Sequence, residues 1–352
     1  MVRTNFPWLL KPWLSLLLFS FTIQHVEAET RGVLAQQNTS INSHSIDRPY
    51  EQAKLELASG NDKKAHRYIL KAIENDKQRY GPKHKKTARN LTLLATVLFN
   101  LGKYRNARIF FLKSQEIIKQ LHDENNKLTA NNLFGLANLT MLYGEYNRAL
   151  NEHEAVLQKR QSAREPDKTA IIQSLLKITE LHTILAHYAK AKHRLSQIET
   201  QLPNTASPAI LSQILNQKGL LAMGNKNFSE AKVFFNHSLE IQTNAFNKNN
   251  ALVAGTLSYI ANNLSAMKKY HLAIPLYEES TTILKNEIGQ YNLPLATSMN
   301  GLASAYLGIG DNERAMQVND RALTIVKTIF NANHPFFAYN LLNKADYLVT
   351  KK

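Results

Sequence analysis

The sequence predicts an all-α chain built as a solenoid of stacked antiparallel helix hairpins. Three observations carry that expectation. Alanines recur at Ala65, Ala107, Ala149, Ala191, Ala231, Ala273 and Ala315, spaced 42, 42, 42, 40, 42 and 42 residues apart. Around them apolar residues fall at intervals of three and four, the pattern of a helix with one buried stripe. From Pro49 onward this periodicity fills roughly 300 residues, more than one compact core usually holds, which suits a repeat array.

The N-terminus reads differently. A basic head with Arg3 and Lys11, an apolar run from Leu14 to Ile23, and Val26-Glu27-Ala28 with small residues at the third-last and last places compose a secretory signal peptide over 1–28. Cleavage is expected after Ala28; the alternative is an uncleaved anchor, but the run is well short of the about 20 apolar residues of a spanning helix. No other segment reaches that length, so no transmembrane span is expected after signal cleavage. The chain is expected to be exported, periplasmic or secreted. It has no cysteine, which excludes a lipoprotein anchor, disulfides and thiolate metal sites. Asn-x-Ser/Thr at Asn38, Asn90, Asn138, Asn227, Asn236 and Asn263 falls half within predicted helices, reads as chance in an Asn-rich chain, and suits a bacterial source. Residues 29–48 are polar, without apolar periodicity, and are expected to form a disordered leader.

Residues 49–352 hold the repeats, about seven hairpins plus a C-terminal closing helix. Three residues before the alanine stands an aromatic at Tyr104, Tyr146, Tyr188, Phe228 and Tyr270, with Asp62 and Asn312 as exceptions. Twelve before it lies Ala53, Ala95, Ala137, Thr179, Gly219, Ala261 or Ala303; four after it stand Ile69, Phe111, His153, Leu195, Phe235, Tyr277 and Asn319. Small residues mark where two helices approach most closely. In the second copy Leu91, Leu94, Ala95 and Leu98 form the first helix's stripe, Gly102 begins the turn, and Ala107, Phe111 and Ser114 belong to the second helix. One hairpin cannot bury both its faces, so neighbours must stack. The first copy lacks the aromatic and is weakly apolar, which reads as a capping repeat. Residues 335–350, with Leu341, Ala345 and Leu348, supply the helix that closes the other end. Pro275, two residues after its alanine, is tolerable in a first turn and otherwise means a kink. Pro82, Pro166, Pro203, Pro208, Pro294 and Pro335 lie between hairpins, where a helix must stop.

The pattern resembles the tetratricopeptide repeat (TPR) family over nearly all of 49–352. The 42-residue unit is similar to the kinesin-light-chain type, as are Leu91-Thr-Leu-Leu-Ala-Thr-Val-Leu98, Met299-Asn-Gly-Leu-Ala-Ser-Ala-Tyr306 and His334-Pro335. The resemblance implies a right-handed superhelical, TPR-like solenoid whose concave wall comes from the first helix of each pair. It further implies a protein or peptide partner held in that groove. Inward positions counted from the alanine are Thr92, Thr96, Asn131, Phe134, Asn138, Gln173, Glu180, Gln213, Asn216, Ser258, Asn262, Asn300 and Ser304. Asparagine both donates and accepts, so such a row could pair with the main chain of an extended peptide.

Charge offers a second surface. Between Lys63 and Lys119 stand 15 Lys or Arg against 3 acidic residues, while residues 191–352 carry 15 against 10. The sharper cluster is Lys63, Lys64, Arg67, Lys71, Lys77, Arg79, Lys83, Lys85, Lys86 and Arg89. Such a surface attracts acidic peptides or an anionic envelope component, lipid or polysaccharide. No nucleic acid is expected, since export removes the usual ones and no recognised motif is present.

Catalysis is not expected, and neither is a cofactor or metal. His182 and His187 are five apart and would point to different helix faces, unlike the i and i+4 pair of a metalloprotease. Glu152-His153-Glu154 and His122-Asp123-Glu124 are triplets whose side chains diverge on a helix. No Gly-rich phosphate loop or nucleophile elbow is visible.

Overall fold

The computed structural model describes residues 47–122, 127–203, 205–330 and 334–350. The expected signal peptide and nearly all of the leader lie outside the described residues, as do Asp123 and Glu124. The described chain is helical and contains no strand.

Among the described residues fifteen helices follow in order: α1 (Arg48–Ala58), α2 (Asp62–Tyr80), α3 (Lys85–Asn100), α4 (Tyr104–Gln120), α5 (Lys127–Leu142), α6 (Tyr146–Gln161), α7 (Lys168–Ile184), α8 (Tyr188–Gln201), α9 (Pro208–Gly224), α10 (Phe228–Ala245), α11 (Ala251–Ala266), α12 (Tyr270–Glu287), α13 (Leu293–Gly308), α14 (Asn312–Ile329) and α15 (Pro335–Thr350). They form consecutive hairpins, with α15 after the seventh. The fold is the TPR-like helical solenoid that the repeat pattern predicts. Two compact units are distinguished, one ending at Ile214 and one beginning at Leu215, the division falling inside α9.

In the first unit α1 packs on α2, α3 on α4, α5 on α6 and α7 on α8, and α2, α4 and α6 each also pack on the next first helix. In the second unit α11 packs on α12 and α13 on α14, while α10, α12 and α14 reach forward to α11, α13 and α15. The repeating alanines sit where these contacts are tightest: Ala65, Ala107, Ala149, Ala191, Ala231 and Ala273 have no exposure, and Ala315 has 1%. Any larger side chain there would force the pair apart.

Each hairpin turns in the same way. The residue five before the alanine has a positive φ in every copy: Gly60, Gly102, Gly144 and Gly310, and also Ala186, Lys226 and Lys268. In the second copy Gly102 N donates to Phe99 O and Lys103 N to Leu98 O, the paired bonds that end a helix on a left-handed residue. Glycine adopts that conformation without cost, whereas three copies force a side chain into it.

Aromatic residues of the second helices need glycine opposite them. A Cβ on Gly135 would stand 2.2 Å from Phe111, one on Gly219 2.4 Å from Phe235, and one on Gly301 2.5 Å from Tyr277. His84 and His334 cap first helices, each ring accepting a backbone N–H at 3.2 Å, from Lys86 and Phe336. Pro208 and Pro335 begin their helices and Pro294 is second in its own, so these prolines start helices as well as separating them. Pro275 is enclosed by α12 beyond the first turn, where its missing N–H leaves the His271 carbonyl without its helical donor. Of the Asn-x-Ser/Thr sites, Asn90, Asn138 and Asn263 are buried in helices.

Candidate functional site

The row of side chains counted along the first helices divides by depth. Fifteen residues before the alanine, Thr92, Phe134, Asn216, Ser258 and Asn300 are all buried. Eleven before it, Thr96, Asn138, Glu180 and Asn262 are buried as well, and only Ser304 keeps partial exposure. Eighteen before it, Asn131, Gln173 and Gln213 remain half-buried.

The deepest positions make hydrogen bonds between helices. Thr92 Oγ1 lies 2.9 Å from Ser114 Oγ and donates to Asn132 Oδ1 at 2.8 Å, joining α3, α4 and α5. Ser114 also donates to Ala88 O at 2.8 Å. The same triangle recurs four copies later: Ser258 Oγ is 2.8 Å from Ser280 Oγ and 3.0 Å from Ser298 Oγ, and Ser280 donates to Ala254 O. Asn216 Nδ2 donates to Thr256 Oγ1 at 2.9 Å in the copy between. Thr92, Asn216 and Ser258 thus join neighbouring copies and do not line an open groove. The reason is that adjacent first helices touch, α3 with α5, α11 with α13 and α13 with α15, closing over the positions between them.

Other members of the row are also engaged. Asn262 Oδ1 accepts from Tyr277 Oη at 2.6 Å, Thr96 Oγ1 donates to Thr92 O, and Ser304 Oγ donates to Asn343 Oδ1 at 3.1 Å. Asn300 has no exposure, and neither amide atom has a partner among the described residues; Oδ1 of Asn138 is likewise unpaired. The solvent-reachable part of the predicted row is therefore Asn131, Gln173, Gln213 and Ser304. Arg89, 27% exposed, extends the three amides to a fourth consecutive copy. The first unit thus presents Arg89, Asn131, Gln173 and Gln213 at one repeat position.

Copies three and four bury charge, which the spacing of apolar residues could not reveal. Arg160 Nη1 donates to Ala170 O at 2.6 Å and Ser174 Oγ at 2.8 Å, and Nη2 to Asn131 Oδ1 at 3.2 Å. Its guanidinium carbon lies 4.3 Å from the Phe134 ring centre. Burial lowers its pKa to about 10. Lys177 and Glu180 pair at 3.0 Å with side chains 9% and 4% exposed. His153 has no exposure and no partner on either ring nitrogen among the described residues. Burial first, then Lys177 and Arg160, hold its pKa well below the usual histidine range.

The basic cluster also divides. Lys86 is 3.2 Å from Asp47, and Arg89 is 3.3 Å from Asp47 and 3.8 Å from Asp76, while its guanidinium covers the Tyr50 ring at 3.7 Å. These two cations fasten α3 to the start of α1. Arg79 lies over Tyr80 at 5.6 Å. Lys63, Lys64, Arg67, Lys71, Lys83 and Lys85 are exposed.

His182 and His187 do not diverge as their spacing implies. Helix α7 ends at Ile184, the turn folds back, and the rings come within 5.7 Å. Among the described residues no three of His, Cys, Asp and Glu gather in a metal-holding group. Glu152 and Glu154 leave His153 for Arg148 and Arg194, as expected of a helical triplet.

Two family models described as tetratricopeptide repeat match the sequence, one over residues 88–120, the other over 211–286 and again over 252–328. The matched stretches, 88–120 and 211–328, are thus tetratricopeptide repeats. Among solved structures, a chain of the APC/C hetero-tetramer Cut9-Hcn1 is 18% identical with a TM-score of 0.56, covering 94% of this chain and 54% of that one. This chain thus spans about half the length of that relative. BtubC from P. vanneervenii is 16% identical with a TM-score of 0.43, covering 76% of this chain and 94% of that one. TPR-like repeats described as kinesin light chain from Podosopora anserina are 16% identical with a TM-score of 0.39, covering 56% and 94%. At 18% identity the likeness to the Cut9-Hcn1 chain is one of fold alone. No curated protein matches the sequence.

Proposed function

We propose that this chain is an exported scaffold that holds an extended segment of a partner polypeptide against the first helices of its early repeats. TPR folds generally mediate protein–protein interaction, and scaffolds of this kind are typically non-enzymatic. The observation that carries the reading is the row Arg89, Asn131, Gln173 and Gln213, four polar side chains at one repeat position, all partly open to solvent. Packed helices stand about 8–10 Å apart, and an extended chain advances about 3.3 Å per residue. One rung therefore falls beside every third residue of a bound segment. Side-chain amides both donate and accept, which suits main-chain recognition, although at Asn131 the Oδ1 already accepts from Arg160. Export is supported by the basic head, apolar run and small residues of 1–28.

A photo-crosslinking residue placed at Gln173 or Gln213 in the native host is expected to capture a protein that one at Asn147, on the opposite helix of a hairpin, does not. Equal capture from all three positions would sink the groove reading. The mature protein recovered from the host is expected to begin at Glu29; recovery from the cytoplasm with Met1 in place would refute export.

A second reading, an anionic lipid or polysaccharide held by the basic N-terminal repeats, has its own support. Lys64, Arg67, Lys71, Arg105, Arg108 and Lys119 make no ion pair among the described residues, unlike Lys86 and Arg89.

A further inference from the structure

The seven second helices share a register, so each surface position can be compared across copies. Five residues after the alanine stand Leu70 and Leu112 in the first two copies, and Glu154, Ser196, Asn236, Glu278 and Asp320 in the rest. Leu70 and Leu112 are each 46% exposed, and Ile109, one turn before Leu112, is 47% exposed. The next residue is Lys71 or Lys113 in those two copies, and Ala155, Gln197, His237, Glu279 or Arg321 elsewhere. Two residues before the alanine stand Lys63 and Arg105, against Asn147, Ala189, Ser229, His271 and Glu313. Cation, leucine and cation thus occur together only in α2 and α4.

Single exposed leucines are ordinary. A leucine repeated at one position in two neighbouring copies, ringed by cations and replaced by polar or acidic residues in the other five, is not. The solvent face of α2 adds Lys64, Arg67 and Lys77, and that of α4 adds Arg108 and Lys119; its only exposed acids are Glu74 and Glu116. Each leucine lies on a surface of exposed cations. Such a face lacks the fixed hydrogen-bonding shape that would read a folded acidic protein. It has what an anionic bilayer surface selects: apolar side chains that enter the headgroup layer, and lysine and arginine stems long enough to keep their charges at the phosphates.

We propose that the solvent faces of α2 and α4 form a docking surface for anionic phospholipid, with Leu70, Ile109 and Leu112 entering the headgroup layer and Lys63, Lys71, Arg105 and Lys113 meeting the phosphates. The surface lies on the second helices, so it is independent of the peptide-holding row and leaves that row free. It also narrows the basic cluster. Lys86 and Arg89, committed to Asp47, take no part.

The test is co-sedimentation of the full chain with vesicles of phosphatidylcholine alone and of phosphatidylcholine doped with phosphatidylglycerol. Any contribution of the basic head and apolar run before Ala28 is common to wild type and variants, so it cancels in their comparison. Binding is expected to require phosphatidylglycerol and to weaken with salt. It should fall roughly fivefold for each cation removed in Lys71→Gln and Lys113→Gln, and about tenfold or more in the double variant Leu70→Ser, Leu112→Ser. All four positions are exposed, so unchanged melting curves are expected. Loss of binding in the lysine variants with full binding in the leucine variant would mean a purely electrostatic contact and overturn the proposal. Displacement of the vesicles by polyglutamate at equal charge would assign the face to an acidic polypeptide, with the same consequence. Binding that survives all four substitutions would also overturn it.

Discussion

Ser258 and Ser280 face each other at 2.8 Å with neither side chain exposed, tying a first helix to its partner, and Ser298 of the next copy completes the group. Ser280 additionally satisfies the Ala254 carbonyl. Replacing Ser280 by Ala removes its hydrogen bonds to Ser258, Ser298 and the Ala254 carbonyl and should cost about 1–2 kcal/mol in urea unfolding. Removing all three hydroxyls should cost less than the sum of the single changes, because no orphan remains among them. Strict additivity would show that the triangle is not a unit.

The Lys177–Glu180 pair is a different kind of buried contact. Lys177→Met removes the cation that pairs with the buried Glu180 at 3.0 Å and should cost about 3–5 kcal/mol. The double variant Lys177→Met, Glu180→Leu should regain most of that loss, since two apolar side chains need no desolvated charge. Thermal melts of the two variants side by side test this. A double variant no better than the single one would contradict it.

Acid should weaken the third and fourth copies. His153 is held well below its usual pKa and His182 down to about 4, burial being the leading cause for both. Lys177 and Arg160 face the first ring; His187, Lys190 and Arg194 face the second. Above the ordinary histidine pKa of 6.5 both rings are neutral whether folded or unfolded, and stability is unaffected. As pH falls from there toward about 4 the unfolded chain takes up protons that the folded chain refuses, so stability drops. His153→Phe, which copies Phe111 and Phe235 at that position, should reduce the fall in Tm between neutral pH and pH about 5. An identical fall in the variant would remove His153 from the account.

The turns give a stabilising prediction. Ala186 and Lys268 have φ of 58° and 59° where other copies use glycine. A left-handed side chain costs about 1–2 kcal/mol, part of which glycine returns through its freer unfolded state. Ala186→Gly should therefore stabilise by about 0.5–1 kcal/mol, and Gly102→Ala should destabilise by about 1 kcal/mol. Chemical denaturation of the two variants reads both signs.

Much of the architecture was legible because close helix approach demands small residues, and Ala107 or Ala273 cannot be replaced without parting a pair. The aromatic at the turn and the glycine opposite Phe235 follow from the same geometry. The groove row was only partly legible. Spacing places Thr92, Thr96 and Arg89 on one helix face, but whether that face meets water depends on the neighbouring first helix, which periodicity does not encode. Arg160 was hidden for a related reason: a cation in a polar-looking helix end reads as solvated, and only the packing of Phe134 and Ser174 against it shows otherwise. His182 and His187 were misjudged because their spacing was counted along one helix, and the chain turns between them.

The hydroxyl triangles carry an evolutionary consequence. Each takes two members from its own hairpin and the third from the hairpin that follows, so neither the second nor the sixth copy completes its group in isolation. Tandem arrays lengthen and shorten by unequal crossing-over, and at these two junctions only exchanges of a whole 42-residue step return a proper third member. At these two seams the period is guarded by hydrogen-bonding chemistry as well as by packing.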